Sequence, residues 1–290
     1  MNKKISKIVF VLIFLVGLSL LLYPYVSQKW NTYRDSKLIT SYEQVIQEKE
    51  KQINYSAEWE RARAYNKALF EKNDPDAFKN AEKAETPDEE YLSCLDLAGD
   101  GMMGFIEIPK INVKLSLYHT IDESVLEKSV GHLEGSSLPV GGENTHAVVS
   151  AHRGLPGARL FTDLDQLQEG EHFLLHILDE VLCYEIDQIL VVEPTEIDAL
   201  LPVEGQDYVT LFTCTPYGVN SHRLLVRGHR VEYVEEVVQE EEPAMIETTA
   251  ASARWEVVLL GLAIVAVSVA GMIIKEKNMK KQKTEDSPKE

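Results

Sequence analysis

The chain has 290 residues, enough for one large domain or two small ones. It carries 47 Asp and Glu against 29 Lys and Arg, for a formal charge of −18, and residues 26–256 alone carry −23. That balance excludes nucleic acid as a partner, which needs clustered basic stripes, and suits either a soluble exported surface or long-range steering of cationic partners.

Two apolar stretches lie near the ends. Residues 8–25, "IVFVLIFLVGLSLLLYPY", and residues 257–274, "VVLLGLAIVAVSVAGMII", contain no charge and approach the ~20 residues that cross a bilayer core. Lys3, Lys4 and Lys7 precede the first, and Lys275, Lys277, Lys280, Lys281 and Lys283 follow the second. Short Lys-rich flanks stay cytoplasmic. The expectation is a two-pass protein of the cell membrane with both termini (1–7 and 275–290) cytoplasmic and everything between extracellular. Tyr23, Tyr25, Trp30 and Trp255 sit where aromatic residues favour the interface. A cleaved signal peptide is the competing reading of the first stretch, but "YPYVSQKW" offers no A-x-A-like cleavage site. A buried core helix competes for the second, against its uniform apolarity and basic tail.

Residues 26–70 are polar with apolar positions at helical spacing: Ile39, Tyr42, Val45 and Ile46, then Trp59, Ala62, Tyr65 and Leu69. One or two helices, broken near Asn54, are expected. Residues 71–90 form a Pro- and acid-containing connector. Within a folded domain expected at 91–236, the pattern turns to strands from Gly104 onward: "GFIEIPK", "NVKLSLY", "HAVVSAH", "HFLLHIL", "VLCYEIDQILVV", "DYVTLFTC" and "RLLVRGHRVEYV". Two helical pieces intrude, 123–130 and 158–167. Many short strands with few helices make the chain mainly β, a closed barrel or a sandwich. An acidic tether, 237–254, returns to a second membrane helix at 255–274.

The three cysteines, Cys94, Cys183 and Cys214, show no zinc-site spacing. An odd count leaves one thiol over in an exported chain, and whether Cys94 and Cys183 pair is open. Cys214 ends an apolar β-branched run just before a Pro and a Gly, and Arg223 follows nine residues later. A thiol attacks only as thiolate, so it needs a base and a cation nearby. His152 ends the strand "THAVVSAH" before Gly154 and is the candidate base. His146 lies on the same face but at that strand's start; His172 and His176 alternate on another strand, and His222 points away from Arg223. Arg223 and Arg227 share a face, and a guanidinium stabilises an oxyanion without changing its charge. The implied chemistry is acyl transfer through a thioester.

The segments "GDGMMGFIEIPKINVKLSLYH" (99–119), "GHLEGSSLPVGGENTHAVVSAHRGLPGARLFTDLDQL" (131–167) and "TLFTCTPYGVNSHRLLVRG" (210–228) resemble the sortases, in particular the pilin-specific class C. The resemblance implies an eight-stranded sortase-type β-barrel with short helices and an N-terminal helical extension. It assigns Cys214 as nucleophile, His152 as general acid/base and Arg223 to oxyanion and substrate stabilisation. It implies cleavage of an LPXTG-type sorting signal between Thr and Gly, then transfer to a lysine of another pilin subunit, with a housekeeping sortase as a further partner. It implies no cofactor and no metal. Class C enzymes usually carry a lid of Asp-Pro followed at once by an aromatic residue; here "NDPDAF" separates Asp74 from Phe78, so these two are lid candidates with the ring displaced, and an ordinary acidic connector is the competing reading. A housekeeping enzyme using a peptidoglycan amine, a non-catalytic membrane-held platform and a hydrolytic cysteine protease are the alternatives.

Overall fold

Eight strands close into a barrel in the computed structural model, which describes residues 3–50, 55–72, 74, 78 and 88–234. All of these belong to one unit, Met1–Glu242. The apolar stretch at 255–274, its tether and the basic tail lie outside the described residues, as does most of the 71–90 connector.

The strands are β1 (Met102–Ile108), β2 (Val113–Tyr118), β3 (Val130–His132), β4 (Thr145–Ser150), β5 (His172–Ile177), β6 (Glu180–Val192), β7 (Asp207–Thr215) and β8 (His222–Val231). Around the barrel they run β1-β2-β3-β4-β7-β8-β6-β5. The β2–β3 and β4–β7 pairs are parallel and the others antiparallel. Period-two alternation sets which side chains fill the interior. On β7, Val209 and Leu211 join the main core, and on β8 Leu224 and Val226 do. The intervening Phe212 and Leu225 face the other way, into a separate apolar cluster.

Closure depends on a glycine in the β1–β5 seam. Gly104 pairs with Ile177, and a Cβ at that position would collide with the carbonyl oxygen of His176. Gly104→Ala is expected to destabilise the barrel by about 3 kcal/mol, the upper range for overpacking. Urea unfolding that leaves the midpoint unmoved would overturn this.

The helices differ from the sequence expectation in extent. A single helix, α1 (Lys3–Glu50), runs from the apolar stretch into the polar one, with Pro24 inside it. A second, α2 (Ser56–Lys72), follows. Ile39, Tyr42, Ile46, Trp59 and Ala62 are buried, as their spacing predicts. Tyr42 Oη donates to the Met103 carbonyl and accepts from Leu178 N–H. Trp59 Nε1 donates to Asp179, and the Asn66 amide pairs in both directions with the Leu138 backbone. A short α3 (Glu89–Ser93), capped by Asp88, carries buried Tyr91.

Of the expected 123–130 helix only one turn forms, α4 (Glu123–Leu126), and the chain then enters β3. Gly131 makes this possible, since a Cβ there would collide with the Thr120 carbonyl oxygen. Of the expected 158–167 helix only a 3-10 turn, Leu164–Gln166, forms. Leu160 is left-handed, with φ 42°, which interrupts a right-handed helix, and Phe161 N–H is bonded to the His152 carbonyl instead.

Candidate active site

Three adjacent strands, β4, β7 and β8, place the candidate residues. Cys214 on β7 stands directly opposite Arg223 on β8. Directly paired residues point the same way with Cβ atoms ~5 Å apart. On the other side β4 runs parallel to β7, with Ser150 beside Phe212. The ladder continues past the end of β4, because Ala151 N–H donates to the Phe212 carbonyl and Thr213 Oγ1 donates to the Ala151 carbonyl. Carrying that register two residues on brings His152 alongside Cys214. His152, Cys214 and Arg223 thus form a row across three strand ends at ~4.8 Å spacing, and all three are partly exposed.

Neighbours fix the row. His152 Nε2 lies 3.3 Å from Glu123 Oε1 on α4. Arg223 Nη1 donates to the carbonyls of Asn220 (3.2 Å) and His222 (3.1 Å). Arg153, which sequence reasoning left without a role, has a buried guanidinium. It donates to Thr215 Oγ1 and the Thr162 carbonyl, at 3.1 Å each, and pairs with Asp165. The Thr213 and Arg153 bonds tie the β4 exit to β7 on both sides of Cys214. Their only sequence signal was that they flank the two candidate residues.

Beside the row, on the barrel's outer face, lies an apolar cluster. Val148 and Leu225 form it with Leu190, Val192 and Phe212, and Leu200 covers it from the 3-10 turn Asp198–Leu200. Phe78 is buried against this cluster, whereas Asp74 is exposed. Phe212 is two residues from Cys214, so the cluster begins ~7 Å along β7 from that residue. His146 braces the strands beneath it: Nδ1–H donates to the Leu201 carbonyl and Nε2 accepts from the Thr210 hydroxyl. Burial pushes His146 down to about 4, so it is neutral.

The other candidates are engaged elsewhere. Arg227 makes two 2.9 Å bonds to Asp187 and lies over the Tyr208 ring. His176 stacks on Phe105 and lies 3.3 Å from Glu107. His172 is 3.6 Å from Glu185, and His222 is 3.2 Å from Glu193. Cys94 and Cys183 are buried in different clusters and form no disulfide. Burial pushes the Cys94 thiol up, the direction that disfavours thiolate. Among the described residues no cluster of three or more His, Cys, Asp or Glu side chains is arranged to hold a metal ion.

A thiol, an imidazole and a guanidinium at neighbouring strand ends are the groups that acyl transfer through a thioester needs. Comparisons with known proteins point the same way. Residues 106–231 match the sortase domain model. The chain is 30% identical over 131 residues to Sortase D of Bacillus subtilis, a match covering 44% of this chain and just under two thirds, 63%, of that protein. It is 45% identical to the crystal structure of sortase C1 from Streptococcus agalactiae, with a TM-score of 0.60, covering 68% of this chain and 100% of that one. Sortase C of Streptococcus pneumoniae is 42% identical, with a TM-score of 0.59, covering 69% and 98%. On its barrel topology and these likenesses, the chain belongs to the sortase family, and within it to class C.

Proposed function

We propose that this protein is a membrane-anchored cysteine transpeptidase that joins pilin subunits. The observation that carries the reading is Cys214 paired with Arg223 across β7 and β8, with the β4 register leading His152 to the same end of the barrel. The Streptococcus pneumoniae relative, whose structure bears on pilin substrate specificity, supports the substrate class. Cys214 as thiolate attacks the carbonyl carbon between Thr and Gly of an LPXTG-type signal. Arg223 and backbone N–H groups stabilise the oxyanion. The C–N bond breaks as His152 gives a proton to the departing amine, leaving a thioester on Cys214. A lysine amine of another subunit then attacks that thioester, His152 takes up its proton, and the thiolate departs.

The proposed arrangement anchors the chain through 8–25 and 255–274, with an extracellular catalytic domain at 91–236. One helix long and apolar enough to cross a membrane, within Val11–Glu48, is present among the described residues. Intact-mass measurement on the full chain in detergent, mixed with an LPXTG-bearing pilin fragment, tests the chemistry. The expected result is an acyl adduct that is absent from Cys214→Ala, and an amide-linked product when a pilin lysine is supplied. An adduct persisting in Cys214→Ala would overturn the assignment, and hydrolysis alone despite the amine would make the enzyme a protease.

Phe78 acts as a lid in this reading, because its ring is buried in the cluster that Phe212, two residues from Cys214, packs against. The proposed resting partner of Arg223 is Asp74. Burying a Phe side chain is worth about 1.5–3 kcal/mol, so Phe78→Ala should raise the rate at which a small thiol reagent labels Cys214 by about 10–100-fold. Asp74→Ala should raise it in the same direction. Unchanged labelling in both variants would sink the lid.

A further inference from the structure

The loop after His152 meets α1 just past its apolar stretch. Ser27 Oγ and Asn31 Nδ2 both donate to the Gly157 carbonyl, at 3.2 and 2.7 Å. Gly157 lies five residues after His152, on the same loop. At 1.5 Å per residue, Ser27 and Asn31 stand only about 3 and 9 Å beyond Tyr25 along the helix. The headgroup layer outside a bilayer's hydrocarbon core is about 5–8 Å thick on each side. If α1 spans the membrane, Gly157 therefore sits at the level of the headgroups.

The loop links this level to the turn after Cys214. Gly154, at most about 10 Å of chain from Gly157, packs under the Tyr217 ring, its Cβ position 3.2 Å from Tyr217 Cε2. The β7–β8 turn exposes Tyr217 (59%) and Val219 (70%), and among the described residues no large apolar side chain of the barrel is more exposed than Val219. On α1, Val26 (60%) and Trp30 (64%) are exposed just past the apolar stretch. Lys29 is exposed at the same level.

We propose that the outer bilayer surface is the partner of this face. Tyr217 and Val219 enter the interface beside Val26 and Trp30, Lys29 faces the headgroups, and the turn after Cys214 is seated on the membrane. This rests on α1 being a membrane span and is independent of the chemistry assigned to Cys214.

The test uses the full chain reconstituted into phosphatidylcholine–phosphatidylglycerol vesicles, with and without brominated acyl chains. Val219→Trp and, separately, Tyr217→Trp add a reporter at the turn. Val203→Trp adds one just before β7 begins, at the far end of that strand from Cys214. The expected result is a blue-shifted emission for the two turn reporters and loss of their added fluorescence in brominated vesicles, with the Val203→Trp signal retained. Full-length protein that floats with vesicles while both turn reporters stay unquenched would overturn the seat and leave the anchor standing. Protein that does not float would overturn both.

Discussion

Arg223→Ala is expected to lower the turnover number for transpeptidation by about 10²–10³, the usual consequence of removing one donor to an oxyanion, with KM changed far less. Arg223 is the cation standing directly opposite Cys214, and its charge does not depend on pH. Lysine at that position would keep a charge but lose the planar fork, so Arg223→Lys should recover only part of the rate. The contrast is Arg227→Ala on the same strand. Its guanidinium is bonded at both ends of the Asp187 carboxylate, so its loss should lower the unfolding midpoint and leave turnover of the folded enzyme close to normal. Single-turnover acylation separates the two. An Arg223 variant with normal turnover and raised KM would move the residue from the oxyanion to substrate binding.

The second large effect is acid destabilisation carried by two histidines outside the row. His132 and His146 are almost wholly buried. His132 Nε2–H donates to the Ser137 carbonyl and Nδ1 faces Tyr91 Oη at 3.0 Å, so the neutral ring accepts the tyrosine proton. Burial pushes both imidazoles from 6.5 down to about 4. Their folded values lie below the unfolded one, so the unfolded chain takes up protons first. The stability they support is complete above about pH 6.5 and is lost as pH falls toward 4, by about 3 kcal/mol for each at pH 4. Together that is comparable with the whole stability of many domains. Asp35, pushed up to about 6 by its burial, and Asp207, raised by its burial, work in the opposite direction and offset part of the loss. Urea unfolding should show the loss between pH 7 and 4, and His132→Gln with His146→Asn, which preserve the N–H donors, should flatten it. A slope unchanged in the double variant would show that other groups carry the acid sensitivity.

Much of this was legible in the chain because it rests on local pattern. The strand segments alternate, and their bounding Gly, Pro and Asn residues mark where they turn. The apolar spacing of Ile39, Tyr42 and Ile46 reports a helix face that meets the barrel, and that face is buried. The Cys214–Arg223 pairing follows from a hairpin whose two arms meet in antiparallel register, so nine residues of separation bring the side chains together. His152 needed more, because parallel pairing of β4 with β7 joins segments about 60 residues apart. There the resemblance to the sortases supplied what spacing could not.

Other features were not local. Three-residue β3 is too short to show a period, and its entry depends on Gly131 passing under Thr120. The 158–167 segment has helical spacing, yet a left-handed Leu160 and the His152 carbonyl draw its backbone elsewhere. Arg153 is an ordinary cation in the sequence, and it matters only because Thr215, Thr162 and Asp165 converge on it.

By itself the sequence determined the composition of the parts: an acidic body, apolar stretches with basic flanks, alternating strands, and a thiol at a strand end with an Arg nine residues on. Only the tertiary structure decided how they meet. The closed strand order brings the ends of β4, β7 and β8 side by side, Phe78 and Leu200 pack over an outer strand face, and Ser27 and Asn31 hold the loop after His152 against α1. The physical reason is that alternation and helical period are encoded within a few residues. Register between distant strands, and the partners of a buried cation or imidazole, exist only once the chain has closed on itself.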